Sequence, residues 1–208
     1  MMYYILMADI VDSSDYSSGP LMDEFKQLVK IVNREFDDSI ESPMTITLGD
    51  EFQGIMGDMS AAVDIIFRLE ELIVERASGF KLRYVLLYGE IETPIEKKHA
   101  HGMLGKGLTE ARNRLSELKK TFNRFETVSL TVSDRLNKLF VLFQHFVDSW
   151  HEKDRQVVAA FLKYGDYKMV AKKLKKDPST MWRRERSLAI AEYLVCKELM
   201  KELTDAVH

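Results

Sequence analysis

Asp9, Asp12 and Asp15 cluster at the end of an apolar run, in YILMADIVDSSDYSSG (residues 4–19). Asp50 follows 41 positions after Asp9, with Glu51 beside it, in TLGDEFQG. Aspartates and serines packed this closely allow two readings. They can make a turn, accepting hydrogen bonds from local backbone amides. They can also hold a hard divalent cation, which needs carboxylate oxygens fixed at the end of a rigid element. If Asp9 and Asp50 sit side by side, leaving both ionised and buried is costly, and Mg²⁺ or Mn²⁺ would remove that cost. The metal's remaining positions commonly carry substrate phosphates. Ser13, Ser14 and Gly49 are the candidate nucleotide contacts, because the serines and Gly19 precede a helix N-terminus, where backbone amides favour anions.

The elements that would position these groups follow from periodicity. Tyr3–Val11 reads as a buried strand. Pro20 opens a helix whose apolar residues Phe25, Leu28, Val29, Val32 and Phe36 recur at helical spacing. Pro43 ends the connection, and Met44–Leu48 and Glu51–Met56 form a hairpin around Gly49 and Asp50. Ser60 is the expected cap of a helix over Ala61–Ala77, and KLRYVLLYGEI (81–91) is a fourth strand. A glycine-rich loop carrying His99 and His101 leads to a helix over Leu108–Asn123, a strand at 127–132, and a helix from Ser133 to about Trp150. The order βαββαβ, with helices on one face, predicts an α+β fold of ferredoxin-like palm type.

Composition restricts the function classes. The 208 residues are 46% hydrophobic and 30% charged, and a single Cys196 excludes an intramolecular disulfide framework or a multi-cysteine zinc site. No apolar run approaches the roughly 18 residues of a membrane span, and the N-terminus lacks a basic leader, so a cytoplasmic protein without a membrane partner is expected. Charge is uneven. Residues 1–150 carry 17 Lys and Arg against 24 Asp and Glu, whereas residues 151–208 carry 13 against 9. Within 163–186 there are nine basic and three acidic residues. A basic tail on an acidic body points to an anionic partner for the tail; the plainer alternative is a solvated helical face. His99 and His101 show no third ligand nearby, Ser13 and Ser14 have no His–Asp partner for nucleophilic catalysis, and the 11 methionines read as core filler.

In GDYKMVAKKLKKDPSTMWRRERSLAIAEYLV (165–195), a short helix over Tyr167–Leu174 is followed by a KKDP turn and a second helix from Pro178. Two short helices around a tight turn, with basic residues on the second, describe a helix-turn-helix. Lys172, Lys173, Lys176, Ser179, Thr180, Arg183, Arg184 and Arg186 are the candidate nucleic-acid contacts, and DNA is the expected partner of 165–195. Trp182 reads as a core or staple residue.

MADIVDSS and LGDEF together resemble the catalytic domains of class III nucleotide cyclases and of GGDEF diguanylate cyclases. That resemblance implies a palm core in which Asp9, the Ile10 carbonyl and Asp50 hold two metals, with Glu51 as the adjacent acid. It also implies a nucleoside triphosphate substrate and, at Arg114, a cation that stabilises the transition state. Glu110 stands where those cyclases carry an Asn, Leu48 where diguanylate cyclases carry a glycine, and Asp12 where the cyclase loop carries one. Over nearly the whole chain, DIVDSS, TLGDEFQG, LRYVLLYGEI and the C-terminal helices resemble the SatD family. The 165–195 segment resembles sigma-factor region 4, through Val170, Ala171, Leu174, Ser179, Thr180, Trp182, Arg183 and Arg184.

The expectation is therefore a palm-like domain over 1–132, a connecting helix over 133–151, and a helix-turn-helix domain over 152–208, assembled as a homodimer because helix-turn-helix proteins commonly read paired half-sites. Two functions compete: a regulator in which a metal- and nucleotide-binding palm governs DNA binding, and a cyclase-like enzyme that forms a phosphodiester with two divalent metals. A third possibility makes the tail a structural cap.

Overall fold

The structure, a computed structural model, describes residues 1–13, 18–47 and 49–206. Strand β1 (Met2–Ile10) lies at the centre of a five-stranded sheet of order β2-β3-β1-β4-β5. Its flanking strands, β3 (Glu51–Met56) and β4 (Leu82–Glu90), both run antiparallel to it. β2 (Ile40–Ile46) pairs antiparallel with β3, and β5 (Phe125–Val128) adds parallel to β4. The first four strands thus have the βαββαβ arrangement expected of a palm-like α+β unit.

Burial on both faces explains why β1 is apolar almost throughout. Leu6, Ala8 and Ile10 face α1 (Ser18–Glu35) and α2 (Met59–Glu75), while Ile5 and Met7 face α3 (Lys106–Leu118). α3 sits very close to the sheet. A Cβ on Gly107 would lie 2.8 Å from the Gly89 carbonyl carbon, so both glycines are needed for the crossing.

Several boundaries differ from the sequence-based expectation. β2 begins at Ile40 and contains Pro43, which is tolerated because β2 is an edge strand whose pairing with β3 is irregular between Ser42 and Thr45. Leu48 lies outside the described residues. Asp58, not Ser60, caps α2: its carboxylate accepts from the Ala61 N–H at 2.7 Å. Ser60 instead donates to Asp205 at 2.6 Å. α3 ends at Leu118, and β5 starts at Phe125, two residues ahead of the expected strand.

Five helices follow β5: α4 (Ser133–Ser149), α5 (Glu152–Tyr164), α6 (Tyr167–Leu174), α7 (Pro178–Ser187) and α8 (Ile190–Asp205). One apolar cluster runs from the α1/α2 face of the sheet through these helices to Met200. Phe67 of α2 meets Phe143 of α4 at 5.1 Å, Phe143 meets Tyr193 of α8 at 5.5 Å, and Tyr193 meets Trp150 at 4.8 Å. α4 also covers the open edge of β5, where Asn137 accepts from the Thr127 N–H and donates to its carbonyl.

Candidate functional site

Asp9 is the penultimate residue of β1, and its register partners are Glu51 on β3 and Arg83 on β4. Residues directly opposite in neighbouring strands share a face, so all three project toward α3. Asp9 is 1% exposed. Arg83 Nη1 donates to its Oδ1 at 3.0 Å and Oδ2 at 3.2 Å, and Lys119 Nζ, just past the end of α3, approaches Oδ2 at 2.7 Å. Burial raises the Asp9 carboxyl above its ordinary range; Lys119 and Arg83 pull it back, and nearby Asp50 adds to the rise. Beside it, Arg112 of α3 donates to Glu51 at 3.4 Å and Gln53 at 3.2 Å.

Asp50 is close to Asp9 but faces another partner. Its Oδ2 accepts from the Ser13 hydroxyl at 2.5 Å, and its carbonyl accepts from the Ile10 N–H at 3.0 Å. The Ile10 side chain is in the core. Gly49 has a φ of 86° at the hairpin tip, and Asp12 a φ of 53°, so the turn reading accounts for Asp12. Ser14 and Asp15 lie outside the described residues.

This donor set does not fit a divalent cation as it stands. Both Asp9 oxygens already receive cationic hydrogen bonds, and a metal on them would stand beside two positive groups. Among the described residues, no group of three or more His, Cys, Asp or Glu side chains is arranged to hold a metal.

Arg114 belongs to a different place. It lies on the flank of α3 toward β5, paired with Glu126 at 3.4 Å and Glu110 at 3.9 Å, and it lines a groove of about 750 Å³ between α3 and α4. The cations gathered at the acidic end are Arg83, Lys119 and Arg112, which sequence reasoning missed. One signal was available: Arg83 is a lone charge inside the apolar run LRYVLLY, and a charge in a buried strand requires a partner.

The basic helices form a second candidate surface. Asp166 caps α6, accepting from the Lys168 and Met169 amides. Lys175 takes a left-handed φ of 54° and ends that helix. Asp177 caps α7, accepting from the Ser179 and Thr180 amides at 2.8 and 3.2 Å and from the Ser179 hydroxyl at 2.6 Å. Val170, Ala171 and Met181 are buried, so α6 and α7 pack through a small apolar contact across a three-residue turn. Trp182, expected in the core, is 43% exposed with Arg186 stacked 5.1 Å from its ring; Met181 occupies the buried position instead. Arg184 turns inward to Asp154 on α5 at 2.5 Å. Lys172, Lys173, Lys176, Ser179, Thr180, Arg183 and Arg186 are exposed, and none of these cations is in an ion pair among the described residues. Lys173 lies over the Tyr164 ring at 5.4 Å.

These features define an α+β protein with a palm-like mixed sheet, a charge-compensated acidic end and an appended basic helix pair. The chain belongs to the SatD family, whose model matches residues 3–204. No curated protein matches it. Among solved structures it is similar to a bacterial light-regulated adenylyl cyclase, at a TM-score of 0.45 and 14% identity over 61% of this chain and 76% of that one. It is also similar to the guanylate cyclase domain of RhGC from Catenaria anguillulae in complex with GTP (TM-score 0.40, 15% identity, 55% and 72% covered). A third similar structure is the guanylyl cyclase Cya2 (0.38, 14%, 56% and 70%). Among the described residues, no helix is long and apolar enough to cross a membrane.

Proposed function

We propose that the protein is a DNA-binding regulator that meets double-stranded DNA through α6 and α7. The observation that carries this reading is the pair of aspartate-capped helices around a left-handed turn, presenting Lys172, Lys173, Lys175, Lys176, Arg183 and Arg186 to solvent with no acidic partner among the described residues. Such a pair can lay its second helix in the major groove. Ser179, Thr180 and Arg183, at the start of α7, are then nearest the bases, while the lysines and Arg186 meet phosphates. Arg184 instead ties α7 to α5 through Asp154. A homodimer is part of the proposal, because paired half-sites are the usual target of such helices.

The competing enzyme reading draws less support from the geometry. Phosphodiester formation would need metal at Asp9 and a transition-state cation beside it, whereas Asp9 is engaged by Arg83 and Lys119, and Arg114 by Glu126.

Fluorescence anisotropy with genomic DNA fragments at several salt concentrations tests the proposal. Affinity should fall with salt at a log–log slope of about −0.9 per phosphate neutralised. Arg183→Ala should relax preference at one base position by about 1–3 kcal/mol, and Lys176→Ala should weaken all sequences alike. Absence of binding at low salt would overturn it.

A further inference from the structure

We infer that α4 and α8 form the surface through which two copies of this chain associate, α4 of each lying on α8 of the other about a two-fold axis parallel to the helices. The homodimer is the one in the DNA-binding proposal, and its use, though not its existence, rests on that reading.

α4 and α8 lie side by side and antiparallel: the Cys196 thiol reaches the Leu139 carbonyl at 3.7 Å, and Phe143 meets Tyr193 at 5.5 Å. Their inner faces are in the core, from Phe140 and Phe143 to Tyr193 and Met200. Their outer faces should be polar if water covered them. Instead Val141, Leu142, Val195 and Leu199 are between 46% and 54% exposed. Apolar side chains exposed together on two adjoining helices mark an interaction surface.

Charge says what covers it. α8 turns its lysines inward, Lys197 to Glu71 and Lys201 to Asp64. Glu198 and Glu202 stay exposed, in no ion pair among the described residues. α4 has the opposite sign, with Arg135 and Lys138 exposed and one exposed acid, Asp134, in its first turn. Counted from the Leu139 and Cys196 contact, Lys138 is within about a residue of the level of Glu198, and Arg135 within about two of Glu202. A two-fold axis along the helices keeps these levels while exchanging α4 for α8. It sets Arg135 by the partner's Glu202 and Lys138 by the partner's Glu198, and does so twice. Stacking α4 on α4 or α8 on α8 would oppose like charges. Helices of 17 and 16 residues, about 10 Å apart, make a face about 25 Å by 20 Å. Two copies would cover roughly 1,000 Å², the size at which specific interfaces begin. Both α7 helices, which lead into α8, then come to the same end of the dimer, as adjacent half-sites require.

Sedimentation velocity on the full-length protein tests the interface. The wild type should be a dimer. Arg135→Glu with Lys138→Glu, and separately Glu198→Lys with Glu202→Lys, should each weaken association by at least about tenfold, because like charges then face one another. An equimolar mixture of the two double variants should recover the dimer, since each surface again meets the opposite sign. A monomeric wild type, a dimer indifferent to both reversals, or a mixture that stays monomeric would overturn the inference. Far-UV circular dichroism checks that each variant is folded, and Lys138→Glu with Glu198→Lys, mixed in the same way as single variants, serve if a double variant is not. DNA binding is read separately by anisotropy. A charge-sensitive dimer that binds no DNA overturns the DNA-binding proposal and leaves the interface standing, whereas DNA bound by a protein whose association ignores both reversals does the opposite.

Discussion

Arg124 shows what a single buried charge costs when its partner is lost. Burial works against its charged form, but Glu70 at 2.9 Å and Asp148 at 3.1 Å outweigh this and raise its pKa above the ordinary value. Glu70→Gln would leave the guanidinium with one partial counter-charge, and should cost about 3–5 kcal/mol in urea unfolding at neutral pH. Asp148 yields a pH prediction from the same cluster. Burial pushes its carboxyl up, yet Arg124 and Lys81 hold it below the ordinary 3.8. A lowered folded pKa means stabilisation that is present above the unfolded value and lost as pH falls through the folded one. Asp148→Asn should therefore be destabilising at pH 7, and its deficit relative to wild type should shrink below about pH 3.8. Unfolding curves at pH 7 and pH 3 measure this, and a deficit that stays constant refutes it. Asp9, with its raised pKa, has the opposite sign: its contribution is present at low pH and lost as pH rises.

Among the elements, the α3–β4 crossing depends on residues without side chains. A Cβ at Gly107 would meet the Gly89 carbonyl carbon at 2.8 Å and the Glu90 backbone at 2.9 Å, and backbone cannot move aside as a flexible side chain can. Gly107→Ala should cost about 1–3 kcal/mol, as overpacking does, and lower the thermal midpoint. Asp177→Ala should destabilise α7 and speed amide exchange at Ser179 and Thr180, the two groups it caps. The same elements show how far sequence could be read. β1 and β4 were legible because their apolar runs have strand length and are rich in aromatic and aliphatic residues, β3 because Gly49 and Asp50 mark a hairpin, and α6 and α7 because Pro178 and the flanking polar residues punctuate them. β2 was placed too late because Pro43 reads as a stop unless the strand is known to be an edge. The hairpin reading set Asp50 beside Asp9, whereas the register puts Glu51 opposite Asp9 and leaves Asp50 one residue before β3. The cations that neutralise Asp9 were not legible, because Arg83 and Lys119 lie 74 and 110 positions away and nothing local records which helix end the sheet will meet.

For the whole molecule, charge and packing divide the tail into two parts. The basic excess of residues 151–208 is partly spent at home: Lys197 pairs with Glu71, and Lys201 with Asp64 at 3.1 Å, fastening α8 to α2. On α6 and α7, Arg184 is tied to Asp154 of α5, while the remaining cations are in no ion pair among the described residues. Packing joins what charge distinguishes, since α2 is sandwiched between the sheet and α4, α5 and α8, with Phe67, Phe143, Tyr193 and Trp150 in one aromatic chain. A chain with one continuous core should unfold as one unit. Trp150 reports on the α4–α8 contact, where its indole N–H donates to the Leu188 carbonyl at 2.9 Å, and far-UV dichroism reports on sheet and helices together. The two urea transitions should coincide at a single midpoint. A fragment ending at residue 132 would expose Phe67 and its neighbours on α2 and should aggregate or bind a hydrophobic dye, whereas independent domains would give a soluble fragment and two separated transitions.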